Sequence, residues 1–548
     1  MQVLANDQKK RSNFYTHDET LHQLLEDKLQ NSLHTYAEEK LSAFGALCAG
    51  PIDVRAKVTD REGEPRLKRY DAYGEEISEV IVNEGYKQTI TETYKTGIVG
   101  YVHKPIPELG EKGNYVYSFA QGYLLSQAEP GFYCPVTLTM ATAYLLDHYA
   151  DDEVKHRFLP HVCATGDVEL FEGATFLTER QGGSDVGANV VEARLENGAW
   201  RLYGEKYFAS NAGMCGVAMV LARQVGDQLG GSKGLTLFAV PWRNEEGVLN
   251  HISIRRLKDK LGVRAVPSGE VVFEGSEAFV VGDPSKGIYY MLEALNLSRI
   301  CNATASVGIM KRAYEEALYY TQGRIAFGQS LVEFPMVQET LCTLQAKWHA
   351  SLIALFDLIE RYDDVTHGVA SAEEQLLVRL LIALVKKETA EASIHFAHEA
   401  IELHGGNGYI EDFVTPRLLR DAQVLTVWEG TANILGHELI RLVQKNAHVV
   451  LLQELQQTKH PYLQQRVAQL EGLLMNFTQL SVETQTIEAK SLMKEMAQLY
   501  EAVSAVKHGE KFNNREKRLA EIYIEHTWQN RTFGEIPLAV KYFEEVCL

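Results

Sequence analysis

The sequence predicts a mainly α-helical protein with a small central β domain and a helical extension at the C-terminal end. Three observations carry this. In residues 1–170 apolar side chains recur three and four apart, as in LHQLLEDKLQNSLHTYAEEKL, the spacing of an amphipathic helix. Between about 171 and 285 the texture changes to glycine clusters (Gly182-Gly183, Gly230-Gly231) separating short β-branched and aromatic runs, with Ala218–Ala222, Leu235–Val240 and Val271–Phe273 as candidate strands. Helical periodicity then returns, with few breakers, over 286–440. Residues 441–548 are also helical in texture, punctuated by Pro461 and Pro537. The expected order is a helical domain (1–170), a β domain (171–285), a four-helix domain (286–440) and an extension (441–548).

Composition bounds the function. With 548 residues, 45% hydrophobic and 23% charged, the chain is ordinary globular protein with core enough to need no disulfide staples. Seven cysteines, odd in number and without a CxxC pair, predict reduced thiols in a cytoplasmic setting. No signal peptide is expected from the polar N-terminal stretch, and the longest apolar run, Leu376–Val385, is interrupted by Arg379 and reads as a buried helix too short to span a bilayer. The formal charge of −19 disfavours nucleic acid and anionic membranes as partners. Residues 441–548 hold 13 Lys+Arg against 13 Asp+Glu, and their one basic knot (Lys511, Arg515, Lys517, Arg518) reads as a solvated helix face, so DNA binding is not expected.

Several common sites are absent. No GxGxxG opens a helix and no GxxxxGK[ST] occurs, so a nucleotide would be held another way. His395, His398, Glu399 and Glu402 share one helix face, but a single helix does not complete a metal site, so no metal is expected. The segment Thr178–Asp185, TERQGGSD, is of another kind. Its paired glycines and serine allow a backbone to approach a flat or phosphorylated ligand closely.

Read with KYFASN (206–211), KLGVRAVPSGEVVFE, RIAFGQSLVEFPMVQ, HGGNGYIED and RDAQVLTVWEGTANI, in that order and at compatible spacing, this segment resembles the acyl-CoA dehydrogenase flavoproteins over about 140–440. RYDAYGEEISEV, PGFYCPVTLTMATA, RLKDKLGVR and the helical tail resemble the AidB-like subgroup and extend the likeness to nearly the whole chain.

The resemblance implies a three-domain fold with the added extension, FAD as cofactor and a homo-oligomer, usually a tetramer. It implies an acyl-CoA substrate dehydrogenated to 2,3-enoyl-CoA, with the β-hydride passing to flavin N5 and an electron-transfer flavoprotein as acceptor. Glu429 of Trp428-Glu429-Gly430-Thr431 matches the base that removes the α-proton, a task needing a carboxylate whose pKa burial raises. Leu177, Thr178, Gly183 and Ser184 match the loop at the isoalloxazine edge, Phe208 a tryptophan beside the ring and Ser210 a threonine near N5. Arg324 and Phe327 match residues reaching the pyrophosphate of a neighbouring subunit's FAD, and Gly405, Gly406, Thr431 and Asn433 complete the cofactor set. Ser184, Arg299, Glu429 and Gly430 are the substrate contacts it implies, the Glu429 backbone N–H holding the thioester oxygen. This chain departs from the pattern at Phe208, which lacks an indole N–H, at Glu402 in place of glutamine, and at Asn296 in place of an aspartate that helps hold CoA. Two other functions compete: an AidB-like flavoprotein of the DNA alkylation response with weak turnover and DNA binding, and an acyl-CoA or fatty-acid binding protein. Glu429 favours chemistry, since a pure binder needs no base there.

Overall fold

The computed structural model describes residues 12–226, 230–529 and 531–548. Helices α1 (Glu19–Lys28), α2 (Asn31–Leu47) and α3 (Asp53–Arg61) are followed by a hairpin of β1 (Arg66–Tyr70) and β2 (Glu76–Ile81). Then come α4 (Glu84–Tyr94), α5 (Tyr115–Ala128), α6 (Pro130–Tyr149) and α7 (Asp152–Val162). Several helices start as their sequences dictate, on a side chain that takes an otherwise orphan N–H: Asp18 from Leu21, Asn83 from Tyr86, Asp151 from Val154. The hairpin adds two strands to residues 1–170, whose pattern reads mainly as helix. Asp71 turns the chain by accepting the Tyr73 and Glu75 N–H groups, and Gly74 adopts φ +88°.

Among the described residues seven strands form the central sheet: β3 (Gly173–Phe176), β4 (Glu192–Glu196), β5 (Ala199–Ser210), β6 (Val217–Gln224), β7 (Leu235–Pro241), β8 (Ile252–Leu257) and β9 (Ser268–Val280). The three candidate strands fall inside β6, β7 and β9. Their order is β3-β6-β4-β5-β9-β7 with β8 on β9, and β7 pairs back onto β6, so that β6, β4, β5, β9 and β7 close a ring. Closure removes exposed edges, and β7 is accordingly buried along its whole length. The β1–β2 hairpin docks on this sheet where the Ile254 N–H donates to the Ser78 hydroxyl at 2.8 Å. Helix α6 lies close against β3: a Cβ on Gly173 would sit 2.3 Å from the Thr142 hydroxyl. With residues Pro51–Asn114 and Glu129–Cys301, this sheet makes one compact unit.

The second unit is helical, built from the chain up to Gly50, Tyr115–Ala128 and Asn302–Leu548. Helix α8 (Gly287–Gly323) contributes residues to both units, and a two-strand hairpin follows it, β10 (Ile325–Ala326) and β11 (Gln329–Ser330). Long helices α9 (Pro335–Thr366) and α10 (Ala372–His404) lead to α11 (Thr415–Leu425) and α12 (Ala432–Gln444). The apolar run Leu376–Val385 lies within α10, and most of it is buried. Among the described residues no helix is long and apolar enough to cross a membrane.

The extension forms α13 (Ala447–Leu455), α14 (Pro461–Phe477), α15 (Val482–Lys511) and α16 (Asn514–Trp528). Its apolar stripes are buried at Leu451, Leu455, Leu463, Leu470, Met493 and Met496, and α15 packs on α9, α10 and α12. The tail is therefore part of the helical core.

Candidate cofactor and active site

In the β unit the segment Leu177–Asp185 leaves β3 as an irregular loop, and a buried ion pair lies beneath it. Glu179 on the loop and Lys206 on β5 meet at 2.8 Å, both excluded from solvent. The Glu179 carboxylate also accepts the N–H groups of Val190 and Val191, and Lys206 reaches the Leu177 carbonyl at 3.3 Å. Burial pulls the Lys206 pKa down, and the Glu179 carboxylate opposes that pull. The Tyr207 N–H bonds the Thr178 carbonyl at 2.9 Å, so loop and strand are stitched side by side.

Above this foundation the expected contact residues are displayed. Gly182 adopts φ +120° with open space about it, and a Cβ on Gly183 would lie 2.4 Å from the Thr178 hydroxyl. Ser184 is exposed, and Phe208 leaves 57% of its surface open beside the Tyr207 ring. Ser210 lies near Ser268, with their hydroxyls 3.4 Å apart. Arg299 donates to Asn296 at 3.1 Å, so the two positions read as a CoA site are neighbours. An open glycine backbone, an exposed serine and an exposed aromatic face are the kinds of groups against which a flat ring packs.

The ion pair makes a sharp expectation. Lys206→Met leaves the Glu179 carboxylate buried without its counter-ion, at a cost of about 3–5 kcal/mol. Lower thermal stability and faster tryptic cleavage at the exposed Arg180 are the expected results; unchanged cleavage would show that the pair does not hold the loop.

The helical unit carries the other expected residues. Arg324 opens the β10–β11 hairpin, whose two turn residues, Phe327 (φ +53°) and Gly328 (φ +89°), both have the positive φ that a tight hairpin turn demands. Phe327 stands 98% exposed at the tip. One turn before Arg324, Tyr320 stacks on His404 at 4.2 Å and accepts from Asn407 at 3.0 Å. The hairpin and the Gly405-Gly406 loop are thus brought together through Tyr320. Gly405 has φ +58°, and neither glycine has an atom within 4 Å of an added Cβ.

Glu429 lies in the turn between α11 and α12, half-buried, at φ +60°, followed by Gly430 at φ +103°. Thr431 is the N-cap of α12 and Asn433 sits in its first turn. Asn433 lines a cavity of about 450 Å³ with Gly436, His437 and four residues of the extension, Thr486, Ile487, Ala489 and Lys490. The sequence reading placed nothing of the extension near these residues.

The His395 face is a solvated one. His395 is exposed, 3.8 Å from Glu399, and His398 and Glu402 are exposed as well. Among the described residues, His349, His508 and Glu516 form one buried cluster of metal-ligand types. Its members are joined by hydrogen bonds: His349 Nε2 pairs with Glu516, His508 with Gln23 at 2.9 Å, and Arg515 with the other Glu516 oxygen at 2.8 Å, while the buried His349 Nδ1 has no partner among the described residues. The cluster pins α16 to α9, α15 and α1.

Comparisons with known proteins follow the same lines. The acyl-CoA dehydrogenase C-terminal domain matches residues 285–443, the acyl-CoA dehydrogenase middle domain 174–276, and the adaptive response protein AidB N-terminal domain 6–166. Acyl-CoA dehydrogenase family member 11 of Caenorhabditis elegans is 31% identical over 449 residues, 80% of this chain and 72% of the relative. The putative acyl-CoA dehydrogenase AidB of Escherichia coli (strain K12) is 31% identical over 394 residues, 70% of each. The crystal structure of Caenorhabditis elegans ACDH-11 in complex with C11-CoA matches with a TM-score of 0.86 at 26% identity, covering 97% of this chain and 94% of that one. The chain belongs to the acyl-CoA dehydrogenase family, whose fold of helices about a β domain it carries. Within that family, its N-terminal region and its likeness to the Escherichia coli relative make it AidB-like.

Proposed function

We propose that the protein is an FAD-dependent acyl-CoA dehydrogenase that converts an acyl-CoA thioester to the 2,3-enoyl-CoA, with Glu429 as the base. The observation that carries this is the backbone of Glu429. A non-glycine residue at positive φ costs on the order of 1 kcal/mol, and such a conformation persists only where the surroundings hold it. Here the outlier falls on the one carboxylate that the family pattern makes a base, directly before a glycine and a helix start.

In this reading Glu429 takes the α-proton on its carboxylate, and its backbone N–H donates to the thioester oxygen as negative charge develops there. Ser184, Arg299 and Gly430 contact the substrate. Leu177, Thr178, Gly183, Ser184, Phe208 and Ser210 hold the flavin ring. Arg324 and Phe327 reach the pyrophosphate of a neighbouring subunit's FAD in a tetramer, Gly405 and Gly406 allow close backbone approach to the same phosphates, and Thr431 and Asn433 complete the site beside Glu429. FAD, when bound, supplies the acceptor for the β-hydride, and an electron-transfer flavoprotein is the proposed next acceptor. The relative's C11-CoA complex makes an eleven-carbon acyl-CoA the first probe.

A DNA-binding role draws less support. In the basic knot Lys511 pairs with Asp27, Arg515 with Glu516 and Arg518 with Glu521, so these cations are already engaged within the chain. The test is spectroscopic. The purified protein is expected to be yellow, with one FAD per chain, and its flavin to bleach when an acyl-CoA series is added without oxygen. A folded preparation that neither contains nor takes up flavin would refute the reading.

A further inference from the structure

A glutamate held at positive φ in a short turn requires contacts from outside that turn. Helix α11 ends at Leu425, α12 begins at Ala432, and residues 426–431 carry no regular ladder of their own. Two side chains from other helices grip the two ends. At the first, the buried amide of Asn302 on α8 donates to the Leu425 carbonyl at 3.2 Å. At the second, the ammonium of Lys386 on α10 donates to the Gly430 carbonyl at 2.8 Å. Lys386 is 1% exposed. Its neighbour Lys387 turns elsewhere, to Glu391 at 2.8 Å, so α10 directs one of its paired lysines into the turn and the other along its own face.

From this we infer that Lys386 is the positioning residue for Glu429. By holding the Gly430 carbonyl it sets the peptide plane between Gly430 and Thr431. Gly430 has no Cβ to limit its torsions, so without an external hold the Glu429–Gly430 link would swing. The carbonyl bond thus transmits the place of α10 to the direction in which the Glu429 carboxylate points. A charged donor suits the task, since hydrogen bonds from ionised groups are the stronger ones and a buried ammonium left without its acceptor is costly. The inference rests on the reading of Glu429 as the base, and it adds a residue that touches neither substrate nor cofactor.

Two readouts on the full-length protein test it. Lys386→Met is expected to speed amide hydrogen exchange in peptides spanning 426–433 by about ten-fold, leaving strand peptides of the β unit unchanged. In anaerobic single turnovers with an eleven-carbon acyl-CoA the same variant is expected to reduce its flavin about ten- to a hundred-fold more slowly, with KM shifted less than about three-fold. Lys386→Arg, which keeps the charged donor, should recover part of both, and Lys386→Gln provides a second variant should the methionine protein not fold. Unchanged exchange at 426–433 overturns the inference, as does faster exchange with undiminished flavin reduction. A wild-type protein that never bleaches sinks the dehydrogenase reading, and with it the base that Lys386 would position. A wild type that bleaches beside an equally fast Lys386→Met sinks the inference alone.

Discussion

Glu429→Gln is expected to retain its flavin and to lose about a thousand-fold or more in the rate at which acyl-CoA reduces it. The amide matches the carboxylate in size and keeps the backbone that Lys386 and the start of α12 hold, so the cofactor residues need not move. It cannot accept the α-proton, and losing a positioned general base typically costs 10²- to 10⁴-fold. Because the lost interaction arises only as the proton moves, kcat should fall with little change in substrate affinity. Stopped-flow reduction without oxygen measures both quantities. A variant as fast as the wild type would remove Glu429 from the mechanism and leave its left-handed backbone without a chemical purpose.

The second large effect is structural. Lys347 on α9 is buried between two carboxylates, Glu388 of α10 at 2.8 Å and Glu501 of α15 at 2.6 Å. Glu501 accepts in addition from Ser351 at 2.7 Å and from Tyr523 of α16 at 2.5 Å. Burial alone would pull Lys347 down, but the two carboxylates outweigh it and hold its pKa at about 12. Lys347→Met therefore strands two acids in a dry junction, where removing one partner of a buried pair costs about 3–5 kcal/mol. For a unit of this size that is a fall in thermal midpoint on the order of 5–10 °C. The double variant Lys347→Met, Glu501→Gln should regain part of it. A midpoint within a degree of wild type would mean that the extension is held by its apolar faces alone.

The buried His349–His508–Glu516 cluster is expected to weaken in acid. Burial, with His349 nearby, pushes the His508 pKa down to about 4, so the folded chain favours the neutral ring. That contribution is fully present above about pH 6.5, and it fades as the pH falls toward 4 and the unfolded chain takes the proton more readily.

How much of this was legible beforehand depends on how far apart the partners lie. Caps such as Asp18, Asn83 and Asp151 sit three residues from the N–H they satisfy, and strands β6, β7 and β9 announce themselves by their own β-branched runs between breakers. The glycine loop, the Arg324 hairpin and the Trp428–Thr431 turn are likewise local patterns, and together they carried the family resemblance. The β1–β2 hairpin lay in a stretch read as helical, because its strands are short and one face is polar, and its place is decided by Ser78 meeting Ile254, 176 residues away.

The sequence by itself determined the succession of a helical region, a β region and further helices, since periodicity is written within a few turns of chain, and its motifs carried the family resemblance, which implies Glu429 as the candidate base. Only the tertiary structure decided that β7 closes the sheet onto β6, that Lys206 underpins the glycine loop through Glu179, that Lys386 grips the turn of Glu429 from 44 residues away, and that the C-terminal helices are core. Such pairings are properties of two distant segments at once. Burial makes them strong, but nothing in the local pattern of either segment names its partner.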